Sequence, residues 1–199
     1  MFPLGCPSIL PLFLGRPTIS AWYETEANHS ALIDALRAVN HARALPTGDA
    51  ERVAHYARAA RVVAEHEDGG GDADETGVER WFDRPSTRLA VYGSLAPGEV
   101  NHHVVAVLCG QWVDGVVTGT LRQLGWGDHI GFPAITWHPD GQKVAVRLFN
   151  SLDLPAHWER IDTFEGEDYQ RILVPVRLVT GETTVANIYE AKGMTATEI

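Results

Sequence analysis

Cysteine is nearly missing from this chain: Cys6 and Cys109 are the only two among 199 residues. Two cysteines cannot build a disulfide framework, so a reduced, cytoplasmic setting is the expectation. Basic residues are also scarce. Sixteen Lys and Arg stand against 26 Asp and Glu, a formal charge of −10. Such a surface repels phosphate, which argues against a nucleic acid or an anionic membrane as partner. Long apolar runs are missing too. Residues 1–14 are apolar, but Pro3, Pro7 and Pro11 interrupt them, and the first positive charge, Arg16, comes after the run. That arrangement fits neither a signal peptide nor a membrane span. The expectation is an extended arm packed against the rest of the protein.

Several catalytic signatures are absent as well. There is no Walker loop and no dinucleotide fingerprint. Ser94 does not sit in a Gly-x-Ser-x-Gly elbow, and no pattern supplies a His and an acid to activate it. His102, His103, His129, His138 and His157 form no metal-ligand spacing with Cys or carboxylates. Neither a metal nor a cofactor is expected.

What is present reads as two parts. Hydrophobic residues make up 45% and charged residues 21%, enough for a sizeable core. Residues 22–40 carry a helical stripe of Trp22, Leu32, Ile33, Leu36 and Val39. Residues 49–66 form a second helical candidate, capped by Asp49, with Val53, Tyr56, Ala57, Ala60 and Val63 on one face. The pair predicts a helical hairpin. Residues 65–79 then hold seven acidic residues, no basic one, and the run Gly69-Gly70-Gly71. That composition predicts a solvated linker and a boundary between units at 1–80 and 84–199. Asp72, Asp74, Thr76, Gly77 and Asp83 fall at positions 1, 3, 5, 6 and 12 of a calcium loop. Position 12 is Asp rather than a bidentate Glu, and flanking helices are not evident, so the linker reading is preferred.

From Arg88 the pattern turns strand-like, with candidates at 88–92, 111–121, 134–137, 143–149, 171–179 and 183–190. Ile172, Val174, Val176 and Leu178 alternate most clearly, and Gly181-Glu182 marks a hairpin turn after them. Helices are expected at about 101–109 and 154–165. The fold class is α+β: a small mixed β-barrel of six or seven strands with helices packed against it, plus an N-terminal helical extension.

Two features carry chemistry. Leu154, Trp158 and Ile161 share one face of the second helix, and Glu165 falls four residues later, where a leucine is expected. Burial and the negative end of the helix dipole both push its pKa up, towards the range useful for proton transfer. A buried Glu paired with Arg171 explains the same spacing. The second feature is the turn Tyr92-Gly93-Ser94-Leu95 between a strand and a helix. Its free amides could hold a carboxylate, with Gly93 allowing close approach, although an ordinary tight turn reads the same way.

Taken in order, Val91-Tyr92-Gly93-Ser94-Leu95, Gly119-Thr120-Leu121, Gly131-Phe132-Pro133-Ala134, Asp162-Thr163-Phe164-Glu165-Gly166 with Tyr169 and Arg171, and Ala186-Asn187-Ile188-Tyr189 resemble the γ-glutamylcyclotransferase-like family over about 88–191. The resemblance implies a ligand cavity between Tyr92–Leu95 and Glu165 and no cofactor. It also implies a small-molecule γ-glutamyl substrate, with Glu165 as catalytic acid/base and Tyr92, Gly93, Ser94 and Leu95 as substrate-binding residues. The substrate's α-amine would attack its γ-carbonyl, releasing 5-oxoproline and an amine or amino acid. Val146-Arg147 stands where the family usually has Gly and an acidic residue, so an Arg near the pocket is expected to affect leaving-group preference. The competing reading is a non-catalytic module that binds a small carboxylate and recruits a partner through its helical extension.

Overall fold

A computed structural model describes residues 25–66, 71–123 and 133–192. The expected arm at 1–14, Trp22, Gly131 and Phe132 lie outside the described residues.

The N-terminal part is three helices: α1 (Glu26–Ala44), α2 (Ala50–Ala64) and α3 (Glu75–Trp81). Thr25 caps α1 by accepting from the Asn28 N–H at 3.1 Å, and Asp49 caps α2 as expected, from the Glu51 N–H at 2.8 Å. Leu32, Ile33, Leu36 and Val39 are buried along α1. On α2 the buried line runs through Tyr56, Ala59 and Val63, while Val53 is exposed. Helix α3 begins inside the stretch read as linker and runs two residues past it. Asp74 starts it by accepting from the Thr76 and Gly77 N–H groups, so this acid acts as a cap. Among the described residues no cluster of His, Cys, Asp and Glu could hold a metal.

Asp83 and Arg84 both have positive φ, 51° and 57°, a strained pair that turns the chain out of α3. Buried Arg88 secures the turn with a 2.7 Å ion pair to Asp83. Then come β1 (Arg88–Val91), α4 (His103–Ala106), β2 (Gln111–Gln123), β3 (Pro133–Trp137), β4 (Gln142–Asn150), α5 (Trp158–Glu165), β5 (Tyr169–Leu178) and β6 (Thr183–Ala191). The six strands run β3-β2-β4-β1-β6-β5, and β2 also pairs with β5. Five strands therefore close into a barrel, with β3 added outside the ring on β2. All pairings are antiparallel except β1–β6. Closure happens over two residue pairs, Gly115↔Leu178 and Val116↔Arg177. A Cβ at Gly115 would lie 2.9 Å from Val176 Cγ1, so only glycine lets the two strands meet there.

Ile172, Val174, Val176 and Leu178 point into the barrel, as their alternation predicts, against Ala90, Val117, Val144, Val146, Leu148, Ala186 and Ile188. Outside, two layers cover the strands. Helices α4 and α5 pack Val104, Val105, Trp158 and Ile161 on Leu89, Val91, Phe149 and Tyr189. Helices α1, α2 and α3 share another core with Leu173 and Val185 of the barrel.

Because β2 meets β5 only at its C-terminal end, the rest of that edge of β5 pairs with no strand among the described residues. Asn40 of α1 takes that place. Its Nδ2 donates to the Leu173 carbonyl at 2.9 Å and its Oδ1 accepts from the Leu173 N–H at 2.8 Å. Asn40→Ala leaves both backbone groups without a partner. We expect it to lower unfolding free energy by about 2 kcal/mol, measured by denaturant titration, and to speed hydrogen exchange at the Leu173 amide.

Candidate active site

Helix α5 is preceded by a 3₁₀ turn at Leu154–Ala156 and ends where Gly166 takes φ 79°. Leu154 and Ile161 are fully buried and Trp158 nearly so. Glu165 follows on the same face and is half-buried, at the wall of a cavity of about 220 Å³. Across that cavity lie Tyr92, Gly93, Ser94 and Leu95, together with Asn101, Phe164, Tyr169 and Tyr189. The four turn residues and Glu165 thus line one space.

Burial, and then the negative charge of Asp162, push the Glu165 carboxyl up from its ordinary value to about 7. Arg171 does not neutralise it. That guanidinium forks onto Asp162, with Nε to Oδ1 at 2.8 Å and Nη2 to Oδ2 at 3.1 Å, and lies over the Trp158 ring at 4.3 Å. Among the described residues, nothing forms a hydrogen bond or ion pair with the Glu165 side chain. The structural pair read from the spacing therefore exists, but its acid is Asp162. Two tyrosines frame the site. The Tyr189 hydroxyl donates to Asp162 Oδ1 at 2.6 Å. The Tyr92 hydroxyl donates to the Tyr189 carbonyl at 2.8 Å and accepts from the Ile135 N–H at 3.3 Å. Burial raises the pKa of both phenols, and for Tyr189 its bond to Asp162 adds to this. Both therefore stay neutral at physiological pH.

The turn is held from behind. Asn101 donates its N–H to the Ser94 carbonyl at 3.0 Å and its Nδ2 to Ser94 Oγ at 2.9 Å. His102 bonds the Leu95 carbonyl rather than Ser94, and among the described residues no histidine or carboxylate bonds the serine hydroxyl. The N–H groups of Gly93, Ser94 and Leu95 have no acceptor among the described residues. Gly98 takes a positive φ, 91°, whereas Gly93 does not. One expectation needs correction: the following helix is one short turn, α4, instead of 101–109, because the segment before it closes a series of tight turns, with Glu99 N–H on the Ala96 carbonyl and His102 N–H on the Glu99 carbonyl.

Arg147 also lies elsewhere. It faces outward from β4 and pairs with Asp114 on β2 at 2.8 Å, while Val146 points into the barrel core. Neither lines the cavity beside Glu165, so the expected influence of this Arg on the pocket has no structural basis.

Asp162, Tyr169, Asn187 and Tyr189 stand in the sequence as parts of motifs, with no role marked by their spacing. Their tie to Glu165 is visible only in three dimensions. A second, wider groove shares Tyr169 and Tyr189 with the first cavity and is lined by Asn40, Arg43, Glu75, Asp162 and Arg171. The N-terminal helices therefore reach the neighbourhood of the site.

The described residues contain no helix long and apolar enough to cross a membrane. No curated protein matches the chain. Among solved structures it is similar to an aig2-like protein of Mus musculus, with 19% identity, 55% of this chain and 80% of that one covered, and a TM-score of 0.44. It is similar to YkqA of Bacillus subtilis, with 22% identity, a TM-score of 0.43, and 53% of this chain but 36% of that one covered. An Arabidopsis thaliana protein is similar at 23% identity, with 52% and 61% covered and a TM-score of 0.42. Residues 89–198, over half of the sequence, match the family described as gamma-glutamyl cyclotransferase, AIG2-like. This protein belongs to that family.

Proposed function

We propose that the protein is a γ-glutamyl cyclotransferase whose acid/base is Glu165. The observation that carries the proposal is a carboxyl group raised to about 7 at the wall of a small cavity, with no cation paired to it among the described residues. In the reaction, the α-amine of a γ-glutamyl compound attacks its own γ-carbonyl. A ring C–N bond forms, the original amide C–N bond breaks, and 5-oxoproline leaves with a free amine. The attacking nitrogen must lose a proton and the departing nitrogen must gain one. A carboxylate with a raised pKa takes the first and returns the second, work worth ~10²–10⁴ in rate. The unpaired N–H groups at Gly93, Ser94 and Leu95 suit the glutamyl carboxylate, and holding that end folded makes the attack effectively unimolecular.

The test is release of 5-oxoproline from a panel of γ-glutamyl amines, amino acids and peptides. At least one member is expected to turn over. Gly93→Val fills the carboxylate end of the cavity and is expected to lower kcat/KM at least tenfold for every substrate alike, whatever its leaving group. Saturable binding of γ-glutamyl compounds with no product from any of them would point to a carboxylate-binding module. Normal rates in Gly93→Val would remove the anchoring role of the turn.

A further inference from the structure

The region between the N-terminal helices and the barrel holds a continuous polar chain. It begins on α2, where the Tyr56 hydroxyl donates to Glu75 Oε1 at 2.5 Å. Burial, then that bond, push the Tyr56 pKa up to about 12. Arg43 on α1 forks onto Glu75, with Nε to Oε1 at 3.0 Å and Nη2 to Oε2 at 2.7 Å. Burial opposes ionisation of Glu75, but the Arg43 fork, with help from Tyr56 and Arg52, holds its carboxyl below the ordinary value. The third donor of Arg43, Nη1, reaches across to Asn187 Oδ1 on β6 at 3.2 Å.

Asn187 is the junction. It is fully buried. Its Nδ2 donates to two backbone carbonyls, Pro85 at 2.8 Å and Arg88 at 3.3 Å. Carbonyls only accept and guanidinium groups only donate, so the amide has one possible orientation. Its Oδ1 therefore faces the arginines and accepts from a second one, Arg171 Nη1, also at 3.2 Å. Arg171 in turn grips Asp162 with its other two nitrogens. Asp162 sits three residues before Glu165 on α5 and is the charged group that acts on it.

We propose that Arg43 is a positioning residue of the active site, acting through Asn187 and Arg171 on Asp162, so that helices outside the matched family region help set the proton-transferring turn of α5. The inference rests on Glu165 as the acid/base, as proposed above. Arg43 touches neither cavity-lining turn nor reacting atoms. It fixes where Asn187 can place its oxygen, which limits where Arg171 can hold Asp162. Among the described residues, the other ionisable groups that interact with Glu165 are Tyr92, Tyr169 and Tyr189, from three separate strands or strand ends. They stay protonated through the relevant range, so Asp162 is the neighbour whose charge the network can tune.

The experiment is a double-mutant cycle read on the Glu165 side-chain carboxyl by ¹³C NMR titration of the full chain. It compares wild type, Arg43→Met, Asp162→Asn and the double variant. Met keeps the aliphatic stem of Arg43. Asp162→Asn removes a like charge and is expected to lower the Glu165 midpoint. Arg43→Met removes a cation and loosens the neutralisation of Asp162, and is expected to raise the midpoint by roughly half a pH unit or more. In the Asp162→Asn background that rise is expected to fall below a third of its size. An equal rise in both backgrounds, or none in a folded Arg43→Met protein, overturns the proposal. If Arg43→Met does not fold by near-UV circular dichroism, Arg43→Lys carries the same cycle. Lysine keeps the charge but cannot hold Glu75 and Asn187 together, so a rise that depends on Asp162 is still required. The titration needs no substrate, which separates two failures. A wild-type Glu165 midpoint near 4.5 removes the proposed acid/base, whereas a midpoint near 7 that ignores Arg43 removes only this inference.

Discussion

Glu165→Gln is expected to lower turnover at least a hundredfold and to leave the thermal melt at pH 4 little changed. Gln keeps the shape of the side chain and its place after Ile161, but it cannot carry a proton. A variant that keeps more than about a tenth of the wild-type rate would show that another group does the proton transfer. The same residue makes a second, independent forecast. The folded-state pKa is raised, to about 7, above that of an exposed glutamate. The protein therefore binds a proton at Glu165 more tightly when folded. That contribution is full below about pH 4.5 and is lost as pH rises through 7. Above pH 7 the ionised carboxylate is a burden the Gln variant does not carry. At pH 8 the variant is expected to be more stable than wild type by about 2 kcal/mol, discounted for access of solvent to the cavity. Below about pH 4 the difference should vanish. On the proposed role of Glu165 the carboxylate form is the base, so kcat/KM should rise with pH and level off above about 7.

Removing residues 1–83 is expected to cost most of the fold. Composition at 65–79 predicts that a protease cuts there first and that 84–199 survives. Packing predicts otherwise for the fragment. Leu173 and Val185, both fully buried, lie under α1, α2 and α3, and exposing two such side chains loses about 4 kcal/mol. Buried Arg88 would lose its ion pair with Asp83 as well. Total stabilities run to about 5–15 kcal/mol, so a fragment missing these contacts has little left. Denaturant unfolding of 84–199 beside the full chain decides the matter. A cooperative transition within about 1 kcal/mol of the full chain would show that the helices form a separable unit.

Most of the barrel was legible in the sequence because each strand carries its own alternation. Ile172, Val174, Val176 and Leu178 need no partner to announce an inward face, and Gly181, with φ 90°, closes the hairpin where the turn residues stand. Glu165 was legible for a similar local reason: a carboxylate occupied an apolar helical position. What could not be read is everything decided by distant partners. Asp162 and Glu165 lie within one turn, and spacing alone cannot say which of them meets Arg171. The pairing follows from Tyr189 and Arg171 sitting opposite each other on β6 and β5, where both reach Asp162. The acidic stretch was misread in part because charge composition suggests solvent, while Glu75 is claimed by Arg43, 32 residues earlier. Val53 failed as a core residue since helical period gives a face but not its width. Arg147 was misplaced because a sequence departure marks a position, not a direction: the strand alternation turns that side chain outward to Asp114.

The seam at β5 has one more consequence. A strand edge with unpaired N–H and C=O groups is a template for another chain, and proteins usually blunt it. Here Asn40 on α1 does so by imitating the two hydrogen bonds of a neighbouring strand at Leu173, and Pro175, two residues on, has no N–H to offer. The stretch of β5 from Tyr169 to Val176 is thus guarded against self-association by a side chain that belongs to the N-terminal helices. If α1 detaches, the exposed edge is apolar at alternate positions and ready to pair with its own copy. Asn40→Ala should then reveal itself first as concentration-dependent oligomers at mild heating, before the monomer melts.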